Sequence, residues 1–557
     1  MANQCLSHHL QLGRGLRQQT AVHGARATCH APAHTAAAYR LPELRGCSRR
    51  QHPGITCQSV AAPAPAVVSS NGASPTLRLE RPGKSQEQVT VVMKFGGSSV
   101  ATAERMLEVA SIICSFPDQL PVVVLSAMGK TTNLLLQAGE ETLKTDPTKV
   151  GELAPLRAIQ QLHYETAEKL GISGTARQDI ELLLSQLQQL LVGISIMQDL
   201  TPRAKDSLVS FGERLSSRLF AAFLNQQGVS AQQMDAYDIG VITNDNFSNA
   251  DVNYELSLPA LRESLTFQPG QERRVLVVTG FLGKGLQTGA ITTLGRGGSD
   301  LTCTLLGAAL DLPEVQVWKD VDGVLTSDPR IVDGATPVPQ LTFEEATELA
   351  FFGATVLHPQ AMQPAWENGN MGVRVKNSYN RAAPGTLITS GRDMSEALMT
   401  SIVLKSNVTL VDICSTRMLG QYGFLAKVFG VFQHLKLSVD VVATSEVSVS
   451  LTLDQAKCLW ERDLIEEELQ SLMHHFDGIA TASYRRGMSI ISLICNVQRT
   501  SQILERVFKV LGREGVNVQM MSQGASKTNI SLIVREDEAK QAVRALHDEF
   551  FAGKRQL

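Results

Sequence analysis

A repeat in the last third of the chain limits how it can fold more than any other feature. Val428-Phe429-Gly430-Val431 through Val439-Asp440-Val441-Val442 aligns without a gap, at a constant offset of 79 residues, with Val507-Phe508-Lys509-Val510 through Val518-Gln519-Met520-Met521. Each copy reads strand, helix, strand, strand, helix, the pattern of a small ferredoxin-like βαββαβ unit. The first unit is expected over residues 401–485 and the second over 486–557. Such a pair is too small for most chemistry but suits ligand sensing; a purely structural, dimerising pair is the alternative reading.

Upstream the pattern changes. Val89-Thr90-Val91-Val92-Met93 is a short β-branched run suited to a buried strand, and a helical pattern follows from Ala101 to Ile113. Val122–Leu125 is a second strand, residues 134–224 are mostly helical, and further strands fall at 275–279 and 315–318. Strands alternating with helices predict an α/β domain with a mainly parallel sheet over 89–390. Pro384, Gly385 and Gly391 mark a linker before the repeats.

The first 80 residues are different again. They hold eight Arg, no Lys, no Asp and only Glu43 and Glu80, a net charge of +6; the whole chain is −3, which leaves −9 for the rest. Arg-rich, acid-poor leaders without an apolar core are organelle transit peptides, so 1–80 is read as a transit peptide and disordered leader. An acidic body argues against nucleic acid as a partner. No apolar run in the sequence approaches the roughly 18 residues of a membrane helix, so no membrane association is expected. The five Cys beyond the leader (Cys114, Cys303, Cys414, Cys458, Cys495) show neither disulfide nor metal-ligand spacing, and no metal site is assigned.

Four stretches carry chemistry. Lys94-Phe95-Gly96-Gly97-Ser98-Ser99 lies between a strand and a helix, where glycines admit phosphates to backbone N–H groups and Lys94 supplies a mobile charge. Gly129-Lys130-Thr131 resembles the end of a P-loop, but the required Gly five residues earlier is Val124, which excludes that motif. In Thr292-Thr293-Leu294-Gly295-Arg296-Gly297-Gly298-Ser299-Asp300, glycines flank an arginine able to grip a carboxylate at two points. Asp300 opens a helical segment, where it either caps the helix or orients Lys94; spacing leaves both open. Trp318-Lys319-Asp320-Val321-Asp322-Gly323 and Ser327-Asp328-Pro329-Arg330 form a turn-rich loop at a strand end, a common ligand position. Phe211-Gly212-Glu213-Arg214 places one acid on a helix, either solvated or functional.

Taken together, Lys-Phe-Gly-Gly-Ser-Ser at 94–99, Phe-Gly-Glu at 211–213, Leu-Gly-Arg-Gly-Gly-Ser-Asp at 294–300 and Val-Leu-His-Pro at 356–359 occur in the order seen in aspartate kinases. From 89 to 557 the chain resembles the plant monofunctional, lysine-sensitive type. That resemblance implies an amino-acid-kinase fold followed by two ACT domains. It implies phosphorylation of the β-carboxylate of L-aspartate by ATP with Mg²⁺, the first step toward lysine, threonine and methionine, inhibited by lysine. S-adenosylmethionine or threonine is left open as a second effector. A homo-oligomer, a dimer joined through the ACT domains, and a chloroplast stromal location are implied as well.

Residue by residue, the resemblance assigns Lys94 and Asp300 to catalysis, and Lys94, Gly97, Ser98, Lys319, Asp320 and Arg330 to ATP. Ser126, Thr132, Glu213, Arg296 and Ser299 are assigned to aspartate, with Glu213 facing the ammonium and Arg296 a carboxylate. Met418, Gly423, Phe424, Leu425, Ser438, Val439, Asp440, Thr444 and Ser445 are assigned to lysine. Thr355 departs from the Lys that many bacterial members carry there, and no homoserine dehydrogenase half is expected. Transfer to a carboxylate already ionised at pH 7 requires no strong base, which fits motifs offering Lys, Arg and Gly loops. The alternatives are a related kinase acting on glutamate or a nucleotide, and a non-catalytic amino-acid sensor.

Overall fold

The computed structural model describes residues 82–83 and 86–551, apart from 355–356, 370, 395–396, 416–421, 455–465 and 525. The leader 1–80, Thr355 and Met418 therefore lie outside the described residues.

In chain order the first eleven strands are β1 (Val91–Phe95), β2 (Pro121–Leu125), β3 (Ala231–Met234), β4 (Ile242–Thr243), β5 (Val275–Thr279), β6 (Leu282–Gly285), β7 (Ile291–Thr293), β8 (Glu314–Lys319), β9 (Gln340–Thr342), β10 (Gly372–Asn377) and β11 (Thr386–Thr389). Eight of them form one sheet in the order β3-β5-β2-β1-β8-β10-β11-β9, parallel throughout except between β10 and β11. β4, β6 and β7 form a small second sheet beside it.

Every residue of β1 and β2 is buried, as expected of β-branched strands covered on both faces. The period of two sorts β1 between two cores. Val91, Met93 and Phe95 join one core with the helices Ala103–Cys114, Gly174–Met197 and Pro202–Gln226. Val92 joins the other, with the helices Gly298–Ala309, Phe343–Phe351 and Pro359–Asn368. Lys94 shares the parity of Val92, so its side chain leaves the sheet on the face covered by Gly298–Ala309. The helix Gly174–Met197 is long and apolar enough, by length and composition, to cross a membrane. Here Ile180, Leu183, Leu184, Leu187, Leu191 and Ile194 bury one face of it in the first core.

The last six strands are β12 (Met399–Cys414), β13 (Val439–Thr444), β14 (Ser448–Asp454), β15 (Thr481–Cys495), β16 (Met520–Ser522) and β17 (Asn529–Arg535). They form one antiparallel sheet in the order β13-β14-β12-β15-β17-β16. β12 and β15 each serve both repeats. Met399–Lys405 pairs with Ile490–Cys495, while Val408–Cys414 pairs with Thr481–Met488 and with β14. β17 pairs with Met488–Ile494. The ladder slips between Lys405 and Val408, where Asn407 takes a left-handed φ of 60°. The division expected between 485 and 486 therefore falls inside β15, and the first repeat is inserted into the second. Both repeats were legible through their helices; two fused outer strands look, in sequence, like two separate ones.

Each repeat keeps its own helical core, around Phe424, Val428 and Phe432 in one and Ile503, Val507 and Leu511 in the other. Ser522 Oγ donates to Val442 O at 3.0 Å, so the two edge strands meet. The remaining sheet face buries Val408, Leu410, Val441, Met488, Ile490, Met520 and Ile533 around Phe352 of the kinase layer.

Candidate active site

The chemistry-bearing residues follow the carboxyl ends of neighbouring parallel strands, the place where open α/β sheets bind ligands. β1 runs into Gly96-Gly97, β2 into Ser126-Ala127, β5 into Gly280-Phe281, and β8 ends at Lys319. Between them lies a cavity of about 260 Å³ lined by Lys94, Ser126, Thr132, Glu213, Ser299 and Asp300, with Phe281, Gly295, Gly297 and Gly298 completing the wall.

Lys94 Nζ lies 2.6 Å from Asp300 Oδ1, both side chains being buried, and Lys319 Nζ lies 3.7 Å from Asp300 Oδ2. The open choice for Asp300 is thereby settled in the geometry: the N-cap of its helix is Gly297, no side chain caps it, and Asp300 faces the two lysines. Burial alone would raise the Asp300 carboxyl, but Lys94 and then Lys319 outweigh it and hold the group below the usual range. Lys319 moves the other way, its ammonium lowered by burial against the pull of Asp300.

Glu213 is a core residue rather than a solvated helix position, only 3% exposed. Its Oε1 accepts from Ala127 N at 3.2 Å, and its Oε2 is buried with no hydrogen-bond partner. Burial pushes this carboxyl up to about 8, against smaller opposing pulls from the Ala127 N–H and Lys94. A cavity-lining acid with an unpartnered oxygen is suited to receive a cationic donor.

Two glycines are fixed by close approach. A Cβ on Gly97 would stand 2.7 Å from Ala127 O, and one on Gly297, whose φ is +75°, would stand 2.3 Å from His358 Cβ. Gly297 thus ties His358 to the Arg296 loop. Arg296 itself is exposed, while Gly295 and Gly297 on either side line the cavity.

The nucleotide assignments are less uniform. Gly97 opens a 3-10 turn at the end of β1, Ser98 is exposed, and Asp320 is exposed beside Lys319. Arg330 is not brought to the cavity: its side chain is 88% exposed and pairs with Asp328 at 2.7 Å. The residues assigned to lysine do not converge within one chain either. Gly423, Leu425, Ser438, Thr444 and Ser445 are exposed, Val439 is half-buried, and Phe424 is packed in the first repeat's core. Asp440 has a fully buried side chain, 2.5 Å from Lys405 Nζ.

Asp206 escaped the sequence reading. On the same helix as Glu213, its buried carboxylate accepts from Ser248 N at 2.9 Å and from Thr293 N at 2.9 Å and Thr293 Oγ1 at 3.0 Å. It anchors the strand that leads into the Arg296 loop, and nothing separates a helical Asp of this kind from a solvated one in sequence. Phe281 was missed as well, although a Gly after a buried strand was a usable signal; it adopts a left-handed φ of 70° and lines the cavity.

The chain matches the amino acid kinase family over residues 89–377 and the ACT domain over 491–550. It is 59% identical over 479 residues to Aspartokinase 3, chloroplastic, of Arabidopsis thaliana, covering 86% of this chain and 84% of that one. It is 36% identical over 470 residues to Lysine-sensitive aspartokinase 3 of Escherichia coli strain K12, covering 83% and 99%. The crystal structure of Escherichia coli aspartokinase III in complex with aspartate and ADP, in its R-state, superposes with a TM-score of 0.68 at 35% identity, covering 83% and 100%. Its T-state complex with lysine and aspartate gives 0.68 at 34%, covering 83% and 99%.

Proposed function

This chain belongs to the aspartokinase family, and from that premise we propose how its residues phosphorylate L-aspartate with ATP to give 4-phospho-L-aspartate and ADP. The observation that carries the reading is one cavity that joins the Lys94–Asp300–Lys319 charge cluster to the unpartnered oxygen of Glu213. A phosphate-handling group and an ammonium acceptor are what this substrate pair requires.

The substrate's side-chain carboxylate is already ionised at neutral pH, so no residue has to remove a proton from it. A carboxylate oxygen attacks the γ-phosphorus in line, the bridging bond to the β-phosphate breaks, and its electron pair leaves with ADP. Catalysis is then positioning plus neutralisation of charge on the transferring group. Lys94, held by Asp300, supplies a fixed positive charge for that group, and Lys319 adds a second. Gly97 and Ser98 present backbone N–H groups, Asp320 and Arg330 flank the nucleotide side, and Ser126, Thr132 and Ser299 surround aspartate. Glu213 Oε2 accepts from the substrate ammonium, and Arg296 grips a carboxylate. Mg²⁺ would arrive with the nucleotide and neutralise phosphate charge. Among the described residues no three His, Cys, Asp or Glu side chains cluster to cage a cation, so phosphate oxygens and water would hold it.

Lysine inhibits through the first repeat, where an effector ammonium would take the place of Lys405 on Asp440. Residues 1–80 direct the chain to the plastid, a reading supported by their Arg-rich, acid-poor composition and by the chloroplastic relatives. The chain forms a homo-oligomer, a dimer through the ACT pair.

ADP release tests the reading. It is expected with aspartate and not with glutamate or UMP; turnover of glutamate or UMP in preference to aspartate overturns it. A profile against lysine, threonine and S-adenosylmethionine identifies the effectors. A chain that binds lysine but releases no ADP with any acceptor is the sensor alternative, against which the intact Lys94–Asp300 pair stands.

A further inference from the structure

The kinase layer and the two repeats enclose a second cavity, of about 480 Å³, that the reaction does not use. Glu348, Phe351 and Phe352 line it from the kinase layer, Asp440 from β13, and Ser522 and Asn529 from the second repeat. Asn529 is 6% exposed. Its Nδ2 donates to Glu348 Oε2 at 3.1 Å and to Ser531 Oγ at 3.1 Å, which fixes the orientation of the amide. Its Oδ1 is therefore an acceptor, and it is buried without a partner. Among the described residues, Glu348 has no cation within ion-pair distance.

The chain itself shows which chemistry this seam accepts. Lys405 Nζ sits 2.5 Å from Asp440 Oδ2 and 5.6 Å from the centre of the Phe351 ring, an ammonium held between a carboxylate and an aromatic face. Glu348 and Asn529 Oδ1 offer the same kind of acceptor, with Phe352 as a further ring, and among the described residues none supplies the cation.

We propose that the seam cavity binds a small molecule carrying a primary ammonium group on a short apolar body. Glu348 and Asn529 Oδ1 receive the ammonium, and Phe351 and Phe352 pack the body. The cavity shares Asp440 with the residues assigned to lysine, but Asp440 is already paired with Lys405, and Glu348 and Asn529 lie outside that assignment, so the ammonium acceptors proposed here are separate ones. Its walls come from the kinase layer and from both repeats, so an occupant favours whichever arrangement of the three keeps the seam closed. That consequence for turnover rests on the aspartate kinase reading; the binding does not.

The test is calorimetric titration of the full chain with n-pentylammonium chloride, with 1-pentanol and sodium chloride as controls. Saturable binding of the ammonium alone is expected, weakened at least tenfold by Glu348→Gln and by Asn529→Leu. Both variants should keep ligand-free aspartate phosphorylation within twofold of the parent, which shows that they fold. Absence of saturable heat, equal binding of the alcohol, or unchanged binding in both variants overturns the site. Saturating n-pentylammonium should change turnover in the parent and not in Glu348→Gln; an unchanged parent rate overturns the coupling. Saturable binding to a chain with no aspartate turnover would sink the kinase reading and leave the site standing.

Discussion

Asp300→Asn separates the charge of this residue from its shape. Its carboxylate lies 2.6 Å from Lys94 Nζ and 3.7 Å from Lys319 Nζ. At an effective dielectric of about 20 those distances correspond to roughly 6 and roughly 4 kcal/mol of attraction before desolvation is counted. An amide of the same size leaves two buried ammonium groups facing each other. Removing one partner of a buried pair typically costs about 3–5 kcal/mol of stability. Bound nucleotide supplies replacement anions, so ATP should stabilise the variant more than the parent. Lys94 then lacks the contact that aims it at the transferring phosphoryl group. Loss of one such preorganised charge contact costs about 2.7–4 kcal/mol, or about 10²–10³ in turnover. ADP release at saturating aspartate and MgATP measures the rate, and thermal unfolding with and without ATP measures the stability. Turnover should fall by about that factor while the KM for aspartate changes less than about threefold. Near-normal turnover, or a loss confined to the KM for aspartate, would refute the assignment of Asp300 to the phosphate side.

Arg296→Lys should raise the KM for aspartate with little change in that for ATP, because an ammonium cannot reproduce a two-point carboxylate grip; equal damage to both constants would point to misfolding or a nucleotide role. Glu213 is mostly protonated below its raised value of about 8, and its proton must leave when the substrate ammonium docks. The kcat/KM for aspartate should therefore climb with pH by up to about tenfold per unit and level off near pH 8, and this limb should vanish in Glu213→Gln. The folded state holds that proton more tightly than the unfolded chain, so ligand-free stability should decline as pH rises from 4.5 toward 8. Asp440→Ala should raise the lysine needed for half inhibition at least about tenfold, or roughly 1.4 kcal/mol, with uninhibited activity close to normal. It also strands the buried Lys405, so adding Lys405→Met should recover thermal stability without restoring lysine sensitivity.

That the site residues share one cavity was largely legible because they follow strand ends and carry chemistry. Lys94, Glu213, Ser299 and Asp300, scattered over 207 positions, converge there because β1, β2, β5 and β8 lie side by side in a parallel sheet. Glu213 and Asp300 were each ambiguous in sequence, since an acid on a helix is usually solvated or a cap. Burial and the distance to Lys94 distinguish the cases, and neither is a property of local sequence. Arg330 differs: the local Ser-Asp-Pro-Arg turn closes on itself through Asp328 and leaves the side chain exposed, outside the cavity lining. The residues assigned to lysine form a segment and not one site within the chain, because Asp440 and Phe424 leave the repeat on different faces.

The interleaving of the repeats ties them to the kinase layer through one strand, which the sequence did not reveal. β12 begins against the loop that follows Lys319. Ile402 N donates to Thr326 O at 2.8 Å, Ser401 Oγ to Leu325 O at 3.0 Å, and Ser327 Oγ to Ile402 O at 3.0 Å. Beyond the slip at Lys405–Val408 the same strand becomes part of the first repeat's sheet. A shift in that repeat would reach, through one continuous backbone, the loop that follows Lys319. Ser401 and Ser327 are almost fully buried, so each hydroxyl bond contributes about 1 kcal/mol. Removing both in Ser401→Ala/Ser327→Ala should loosen the strand from the loop by about 2 kcal/mol, comparable to a typical allosteric coupling of about 1–3 kcal/mol. Uninhibited turnover should stay within about threefold of the parent, because neither hydroxyl lines the catalytic cavity. Lysine should still bind, with an affinity by direct titration little changed, while its inhibition of turnover falls several-fold. Inhibition that persists unchanged, or that falls only in step with lost lysine binding, would place the coupling outside β12.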